Sequence, residues 1–173
     1  IALAGGTFDY KPLVAANNTE TAGAVTVIAG GSSTISTTPS DTTHTVTLTF
    51  ASLSRTSGGT LNFTGTGLGT ASNKVAFTSS PTLDDSIIGG WATVGNNFAT
   101  YASGSVVALS VYNTGAETTW VAASNAKPAA DATMTANRNI NSLNLGSGID
   151  VNITAGRTLN IESGGLIKQG ATA

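Results

Sequence analysis

The residue types that perform acid–base chemistry are few in this chain and widely separated. The carboxylic acids are Asp9, Glu20, Asp41, Asp84, Asp85, Glu117, Asp131, Asp150 and Glu162. A polysaccharide-cleaving site needs at least two carboxyl groups close together. Only Asp84 and Asp85 are adjacent, and neighbouring residues of an extended strand point to opposite faces. We therefore interpret this pair as a solvated loop, with a weak calcium site as the alternative.

The single histidine, His44, forms no recognisable catalytic set with its sequence neighbours. A nucleophilic triad needs a serine and an acid beside the histidine in space. Serines occur throughout this chain, so their proximity in sequence carries no information. The position of His44 at the start of a predicted strand favours a structural or surface role. Because no phosphate loop, metal-ligand spacing or nucleophile elbow is present either, we predict no enzyme activity, no metal and no cofactor.

Aromatic side chains offer a different chemistry, the stacking of sugar rings. The candidates are Trp91, Tyr101, Tyr112 and Trp120. Trp91 follows Gly89-Gly90, which leave room for a large ring, so we predict that it packs against the core. Trp120 lies in an irregular segment, where core packing and ligand contact are equally compatible with the sequence. Trp120, Asp84 and Asp85 are therefore the candidate contacts for a glycan or a cell surface.

The composition restricts the class of protein. The chain has 173 residues, of which only 9% are charged, with a formal net charge of −2. This charge is too small and too scattered to predict binding to nucleic acid or to an anionic membrane. The 40% hydrophobic content predicts a folded chain. With no cysteine, there is no disulfide framework.

A repeated three-residue word in the stretch 140–170 is the strongest structural signal. The word occurs as Leu143-Asn144-Leu145, Val151-Asn152-Ile153 and Leu159-Asn160-Ile161, with the same step from each word to the next. Two apolar residues around a polar one place both apolar side chains on one face of a strand. Three such strands with bends between them predict a solenoid with three walls and about 24 residues per turn. A β-sandwich remains the alternative.

The rest of the chain contains several predicted strands and no convincing helical period. Strict alternation from His44 to Phe50 is the clearest strand, with Val46, Leu48 and Phe50 inward and threonine outward. A further strand is predicted over Ser105–Tyr112. The segment from Asn113 to Thr135 is irregular and is predicted as loop.

Three segments, taken in order, resemble a known family. The most specific is Ile87–Gly95 (IIGGWATVG), which continues through Phe98–Tyr101 and Val106–Leu109. Leu53–Phe63 precedes it. The third segment follows it and consists of Asn141–Leu143, Thr158–Ile161 and Gly164–Ile167. Together they resemble bacterial autotransporter-associated β-strand repeat proteins, although Phe98 stands where that family often has tryptophan. The resemblance implies a right-handed parallel β-helix in a long, secreted or surface-attached chain of structural or adhesive role. It implies no catalytic residues.

Both ends of the chain are strand-like and carry no blocking charge or helix. An uncovered end of a solenoid presents unpaired backbone groups that recruit another strand. We therefore expect one all-β solenoid module over residues 1–173, with loop insertions, that stacks on copies or repeats of itself outside the cell. The expected interface residues are Ile1, Leu3, Leu166 and Ile167. A glycan-binding adhesin is the first alternative function, and a β-helical polysaccharide-degrading enzyme is the second.

Overall fold

The computed structural model describes residues 1–12 and 15–170, which form a parallel β-solenoid of about six turns. The expected all-β solenoid is thus confirmed, and the alternative fold, a β-sandwich, is wrong. The module expected over residues 1–173 also includes 13–14 and 171–173, which lie outside the described residues. No helix among the described residues is long and apolar enough to cross a membrane.

Seventeen strands and one short 3-10 turn (Glu117–Thr119) make up the described fold. The strands are β1 (Ala2–Leu3), β2 (Gly6–Tyr10), β3 (Asn18–Ala22), β4 (Val25–Val27), β5 (Ser32–Thr37), β6 (Val46–Phe50), β7 (Leu53–Arg55), β8 (Thr60–Thr64), β9 (Asn73–Phe77), β10 (Ala92–Val94), β11 (Asn97–Ala102), β12 (Ser105–Ala108), β13 (Asn125–Ala126), β14 (Ala132–Thr133), β15 (Arg138–Leu145), β16 (Val151–Asn152) and β17 (Leu159–Lys168).

The first nine strands form three turns with three walls each. The walls are the parallel stacks β1-β4-β7, β2-β5-β8 and β3-β6-β9. The predicted turn length is too short for most of this part, because Thr26 stacks on Ser54, 28 residues further on. The extra length lies in the loops between the second and third walls, such as residues 38–45.

The core of these turns follows the predicted alternation. Val46, Leu48 and Phe50 are buried, while the threonines between them are half-exposed, so the strand prediction is confirmed. Phe50 lies between Phe8 and Phe77, with ring centroids 5.8 and 5.9 Å away. Phe77 stacks on Phe50 from the next turn of the same wall, whereas Phe8 contacts it edge-on from the second wall. Each turn thus buries the apolar face of the next.

An antiparallel meander interrupts the solenoid after the third turn. β10 adds to β8 in parallel, but β11 and β12 then fold back as consecutive antiparallel strands. These antiparallel strands are an insertion within the parallel β-helix that the resemblance implies. The two-residue turns Gly95-Asn96 and Ser103-Gly104 explain the reversal, because Gly95, Ser103 and Gly104 all have positive φ. The strand predicted over Ser105–Tyr112 ends at Ala108.

The meander also covers an edge of the first three turns. β9 is bonded to β6 on one side and directs the backbone groups of Val75 and Phe77 outward. The Tyr101 hydroxyl accepts from the Phe77 amide (3.1 Å) and donates to its carbonyl (3.3 Å). The Ser105 hydroxyl donates to the Val75 carbonyl (3.3 Å). Side chains thus replace the missing next strand and prevent pairing at this edge.

We expect Tyr101→Phe to destabilise the fold by about 2 kcal/mol, because both Phe77 backbone groups lose their partner. Chemical denaturation followed by circular dichroism measures the change. Tyr10→Phe is the matched control and should change stability by less than about 0.5 kcal/mol, because the Tyr10 hydroxyl makes no hydrogen bond to a described residue. Equal effects of the two substitutions would contradict the assigned role of Tyr101.

The remaining strands form a second parallel stack beside the meander. Its sheets are β13-β15-β17 and β14-β16. The three repeated words lie in β15, around β16 and in β17, but Leu159 of the third word pairs with Arg138, before the first word begins. Leu143, which begins the first word, pairs instead with Leu166. In both pairs the two residues are separated by fewer residues than the predicted turn of about 24. The predicted turn is therefore slightly too long for the second stack. A register shift between Ile140 and Ser142 makes the two offsets differ.

Candidate functional site

Asp84 and Asp85 lie in a tight exposed turn and do not form a carboxylate cluster with other acids. The backbone groups of Asp84 and Ile87 bond to each other (2.7 and 3.0 Å), and Asp85 and Ser86 between them have φ values of 43° and 77°. No group of three potential metal-ligating side chains occurs among the described residues. The predicted loop is confirmed, and the geometry gives this pair no second carboxylate-bearing partner in the described part of the chain.

Buried asparagines hold this turn in its strained shape. The side-chain amide of Asn141 donates to the Asp84 carbonyl (3.0 Å), and that of Asn125 donates to the Asp85 carbonyl. The Asn125 side-chain oxygen in turn accepts from Asn141 (3.0 Å) and from the Ser142 hydroxyl (2.7 Å). A satisfied buried network of this kind specifies one docking geometry. It therefore fixes the loop to the second stack, a role that sequence reasoning missed.

His44 belongs to a local turn closed by Asp41. The Asp41 carboxylate accepts from the amides of Thr43 (2.8 Å) and His44 (2.9 Å) and lies 2.6 Å from His44 Nδ1. The hydrogen bonds from Thr43, followed by those from His44, lower the pKa of Asp41 below its ordinary value. No serine side chain bonds to His44 among the described residues. The contacts of His44 are those of the expected structural role.

The four aromatic candidates do not form one platform. Trp120 is only 3% exposed, packs in the core of the second stack and donates from Nε1 to the Gly115 carbonyl (3.2 Å). Of the two readings left open for Trp120, this placement favours core packing over ligand contact. Trp91 packs against the first core as predicted, with the Arg55 guanidinium over its ring at 5.6 Å. The hydroxyls of Tyr101 and Tyr112 bond to backbone amides.

One buried charge was missed by sequence reasoning. Glu117 is 4% exposed and lies on the 3-10 turn that precedes Trp120. Its carboxylate accepts hydrogen bonds from the Arg138 Nε and from both the hydroxyl and the amide of Thr135. Hydrogen bonds from Arg138 and then Thr135 lower the pKa of Glu117 from 4.5 to about 2. This contact ties the irregular segment to the start of β15.

We expect the free energy of unfolding to fall in acid, because the Glu117 carboxylate loses its contact with Arg138 and Thr135 when it is protonated. Its pKa is lower in the folded than in the unfolded state, so its contribution is complete above pH 4.5 and is lost as the pH falls through about 2. Thermal unfolding followed by circular dichroism between about pH 6 and pH 2 measures this loss. Glu117→Gln should show a smaller loss over that range, whereas the exposed Glu162→Gln should behave like the unmodified chain. An identical acid profile for Glu117→Gln would refute the assignment.

The outer edge of β17 is the largest unpaired feature at the end of the second stack. β17 is the last strand of its sheet, and no described residue pairs with its outer side. Leu159 and Ile161 face the second core but are only half-buried, and Leu166 beside them is 58% exposed. Ile167 points the other way and packs against the cluster of Ile87, Phe98 and Leu109. Of the two interface residues predicted in this strand, Leu166 lies on the open end, and Ile167 lies against the meander.

The first turn has a similar edge. β1, β2 and β3 are each the first strand of their stacks, and no strand of the described residues pairs with their outer sides. Ile1 is 45% exposed, Phe8 and Tyr10 are half-buried, and Leu3 is buried in the first core. The side chain of Leu3 therefore already packs within the chain, although its backbone lies on the outermost turn. The backbone edges of the two end strands are the candidate functional site that the geometry supports best.

Comparison with known proteins finds no match for this chain among family models, curated proteins or solved structures. The fold alone defines the class of the protein, which is a parallel β-solenoid.

Proposed function

We propose that this chain is a structural module of an extracellular bacterial β-solenoid, whose turns continue end to end into a fibre or a surface layer. The observation that carries the proposal is the open end of the second stack. Leu159 and Ile161 pack against the second core but stay half-buried, and Leu166, which lies opposite the buried Leu143, is 58% exposed. A further turn on β17 would bury these side chains and pair the outer backbone groups. The neighbouring turn belongs either to another copy or to a further repeat of one polypeptide.

Two features support an extracellular and structural role over a catalytic one. The low charge and the threonine-rich outer faces suit lateral packing in a fibre. The segments around Leu53–Phe63, Ile87–Gly95 and Thr158–Ile167 resemble autotransporter-associated β-strand repeat proteins, which are mostly structural or adhesive passengers. The proposal assigns no catalytic residue, cofactor, nucleic acid or membrane-inserted segment to this chain.

Blocking the open end tests the proposal. Leu166→Lys places an ammonium group where the next turn would bury it, and burial of an unpaired charge is strongly unfavourable. The substitution should leave the isolated chain folded, because Leu166 is 58% exposed. Sedimentation velocity over a concentration series should show large assemblies for the unmodified chain and single chains for Leu166→Lys.

The matched control is Val111→Lys, at a site that is 81% exposed and lies in none of the described strands. It adds the same charge and should assemble like the unmodified chain. Assembly of Leu166→Lys to the same extent as Val111→Lys would show that the open end is not the contact.

One observation favours a second candidate function, an adhesin that binds glycans. Asp85 lines a surface pocket of about 370 Å³ together with Val111 and Tyr112. Val111 is 81% exposed at this pocket. The apolar face of a sugar can pack against such a side chain while the neighbouring polar groups bind its hydroxyls. A glycan array should then show binding that Val111→Lys removes. Absence of binding, or binding that survives this substitution, would eliminate the adhesin.

A further inference from the structure

The apolar spacing is the same on the two outermost edges of the fold. On β17, inward-facing Leu159 is followed by Ile161 after two residues and by Leu166 after five more. On the first turn, Ile1 is followed by Leu3 after two residues and by Phe8 after five more. The neighbouring internal strands differ. The corresponding step is three residues from Ile140 to Leu143 and eight from Val27 to Ile35. The two free edges therefore match each other.

The backbone bends at the same place on both edges. Gly6 lies five residues after Ile1 and has a φ of 85°, and Gly164 lies five residues after Leu159 and has a φ of 70°. On the first turn the preceding Gly5 also has a positive φ, of 118°, whereas Ser163 does not. A positive φ is readily adopted by glycine and changes the direction of a strand. Both edges thus change direction at equivalent positions, which two strands must do in order to remain paired along their whole length.

The directions of the unpaired backbone groups on β17 define which residues can accept a further strand. The Thr158 carbonyl accepts from Arg138 and the Gln169 amide donates to Leu145, so both point toward β15. Successive residues direct their backbone N–H and C=O groups to alternate sides of a strand. Leu159 and Ile161 therefore direct these groups away from β15, as do Leu166 and Lys168 beyond the register shift.

The first turn presents unpaired backbone groups that are complementary to those of β17. The Ile1 carbonyl accepts from the Thr26 amide, the Leu3 carbonyl from the Ile28 amide and the Tyr10 carbonyl from the Thr38 amide. Ala2 on β1, and Thr7 and Asp9 on β2, therefore direct their groups away from the stack. In a parallel pair, a residue with outward groups bonds to the two neighbours of the residue opposite it.

We propose that the occupant of the β17 edge is the first turn of a second copy of this chain, with residue n of Ile1–Tyr10 opposite residue n + 158. In this register Ala2 lies opposite Asn160 and bonds to Leu159 and Ile161, and Asp9 lies opposite Ile167. Both halves of the edge pair correctly with one offset. The inference rests on the proposed function and names the partner and the register. Because each copy keeps one free edge, the contact does not close and produces a filament.

Engineered disulfides in the full chain test the register. Ala2 and Asn160 are both exposed, and adjacent strands lie about 4.8 Å apart, within the range that a disulfide spans. The chain has no cysteine of its own. The double variant Ala2→Cys/Asn160→Cys should give a ladder of linked chains on a non-reducing gel after mild oxidation. Peptide mass spectrometry should place the bond between positions 2 and 160.

The matched control is Ala2→Cys/Asn152→Cys. Asn152 is exposed at the same end of the second stack, but it lies on β16 and not opposite β1 in the proposed register. It should give no ladder. Equal ladders from both pairs would overturn the register, because they would reflect random collision.

Electron microscopy of the unmodified chain separates failure of the register from failure of the proposed function. Filaments without a ladder from Ala2→Cys/Asn160→Cys would overturn the register and leave end-to-end assembly standing. Single particles without a ladder would overturn both. We expect filaments, with a ladder from Ala2→Cys/Asn160→Cys and none from Ala2→Cys/Asn152→Cys.

Discussion

Replacing Phe50 with alanine should lower the free energy of unfolding by about 4 kcal/mol. Phe50 is fully buried between the edge-on ring of Phe8 and the stacked ring of Phe77, so its removal leaves a cavity in the first core. The rings above and below it belong to adjacent turns, which the paired backbone holds in place and prevents from collapsing into the space. Denaturant unfolding followed by circular dichroism measures the loss.

Two further substitutions make this result specific. Phe8→Ala, at the half-buried outermost of these three rings, should cost clearly less, because water can fill the space. Val111→Ala, at an exposed site, should change stability by less than about 0.5 kcal/mol. A loss below about 1 kcal/mol for Phe50→Ala would contradict a closed core running through the first three turns.

Replacing Gly90 with alanine should destabilise the chain by about 3 kcal/mol, the second large effect. A Cβ at this position would lie 2.4 Å from the Gly165 nitrogen and 2.5 Å from its Cα, and both are backbone atoms that cannot rotate away. The backbone of Gly90 is outside the left-handed region, so the cost comes from lost space alone. The meander and β17 would have to separate at this contact.

Gly23→Ala is the control for this effect. Gly23 also lies outside the left-handed region, and a Cβ there would meet nothing within 4 Å. It should be neutral or stabilising by up to about 1 kcal/mol through the reduced entropy of the unfolded chain. Thermal and denaturant unfolding of both variants provide the comparison. Similar stabilities for Gly90→Ala and Gly23→Ala would show that the meander does not pack closely on β17.

The sequence predicted the solenoid because apolar alternation and the repeated words specify strands directly. It predicted the turn length poorly, because the words in β15 and β17 belong to strands that shift register, while the loops of the first three turns add residues that no strand pattern contains. A better signal was present. The paired glycines at positions 5, 30, 58 and 89 mark the same corner in successive turns, and their spacing follows the longer turn.

The meander was missed although its turn chemistry is visible. Gly95-Asn96 and Ser103-Gly104 are two-residue turns of the kind that reverse a strand. The resemblance of Ile87–Gly95 to repeat proteins implied a parallel β-helix and carried no information on this reversal. The turn residues do carry it, because the positive φ of Gly95, Ser103 and Gly104 reverses the backbone directly.

The contacts between distant segments could not be predicted from the sequence. Trp120 could pack in the core or face solvent, and its burial depends on strands that follow it much later in the chain, up to β17. The same holds for Glu117, which meets Arg138 only because an irregular loop returns to β15. The matching of the two end strands likewise becomes visible only once the direction of each backbone group is known.

Electron microscopy of the purified chain at neutral pH, across a series of concentrations, tests the central claim of end-to-end assembly most directly. Our account predicts unbranched filaments whose strands stack about 4.8 Å apart along the filament axis. It also predicts that Leu166→Lys abolishes them and that Val111→Lys does not. Monodisperse single particles at every concentration would contradict it, because the open edges of β17 and the first turn would then not be assembly surfaces.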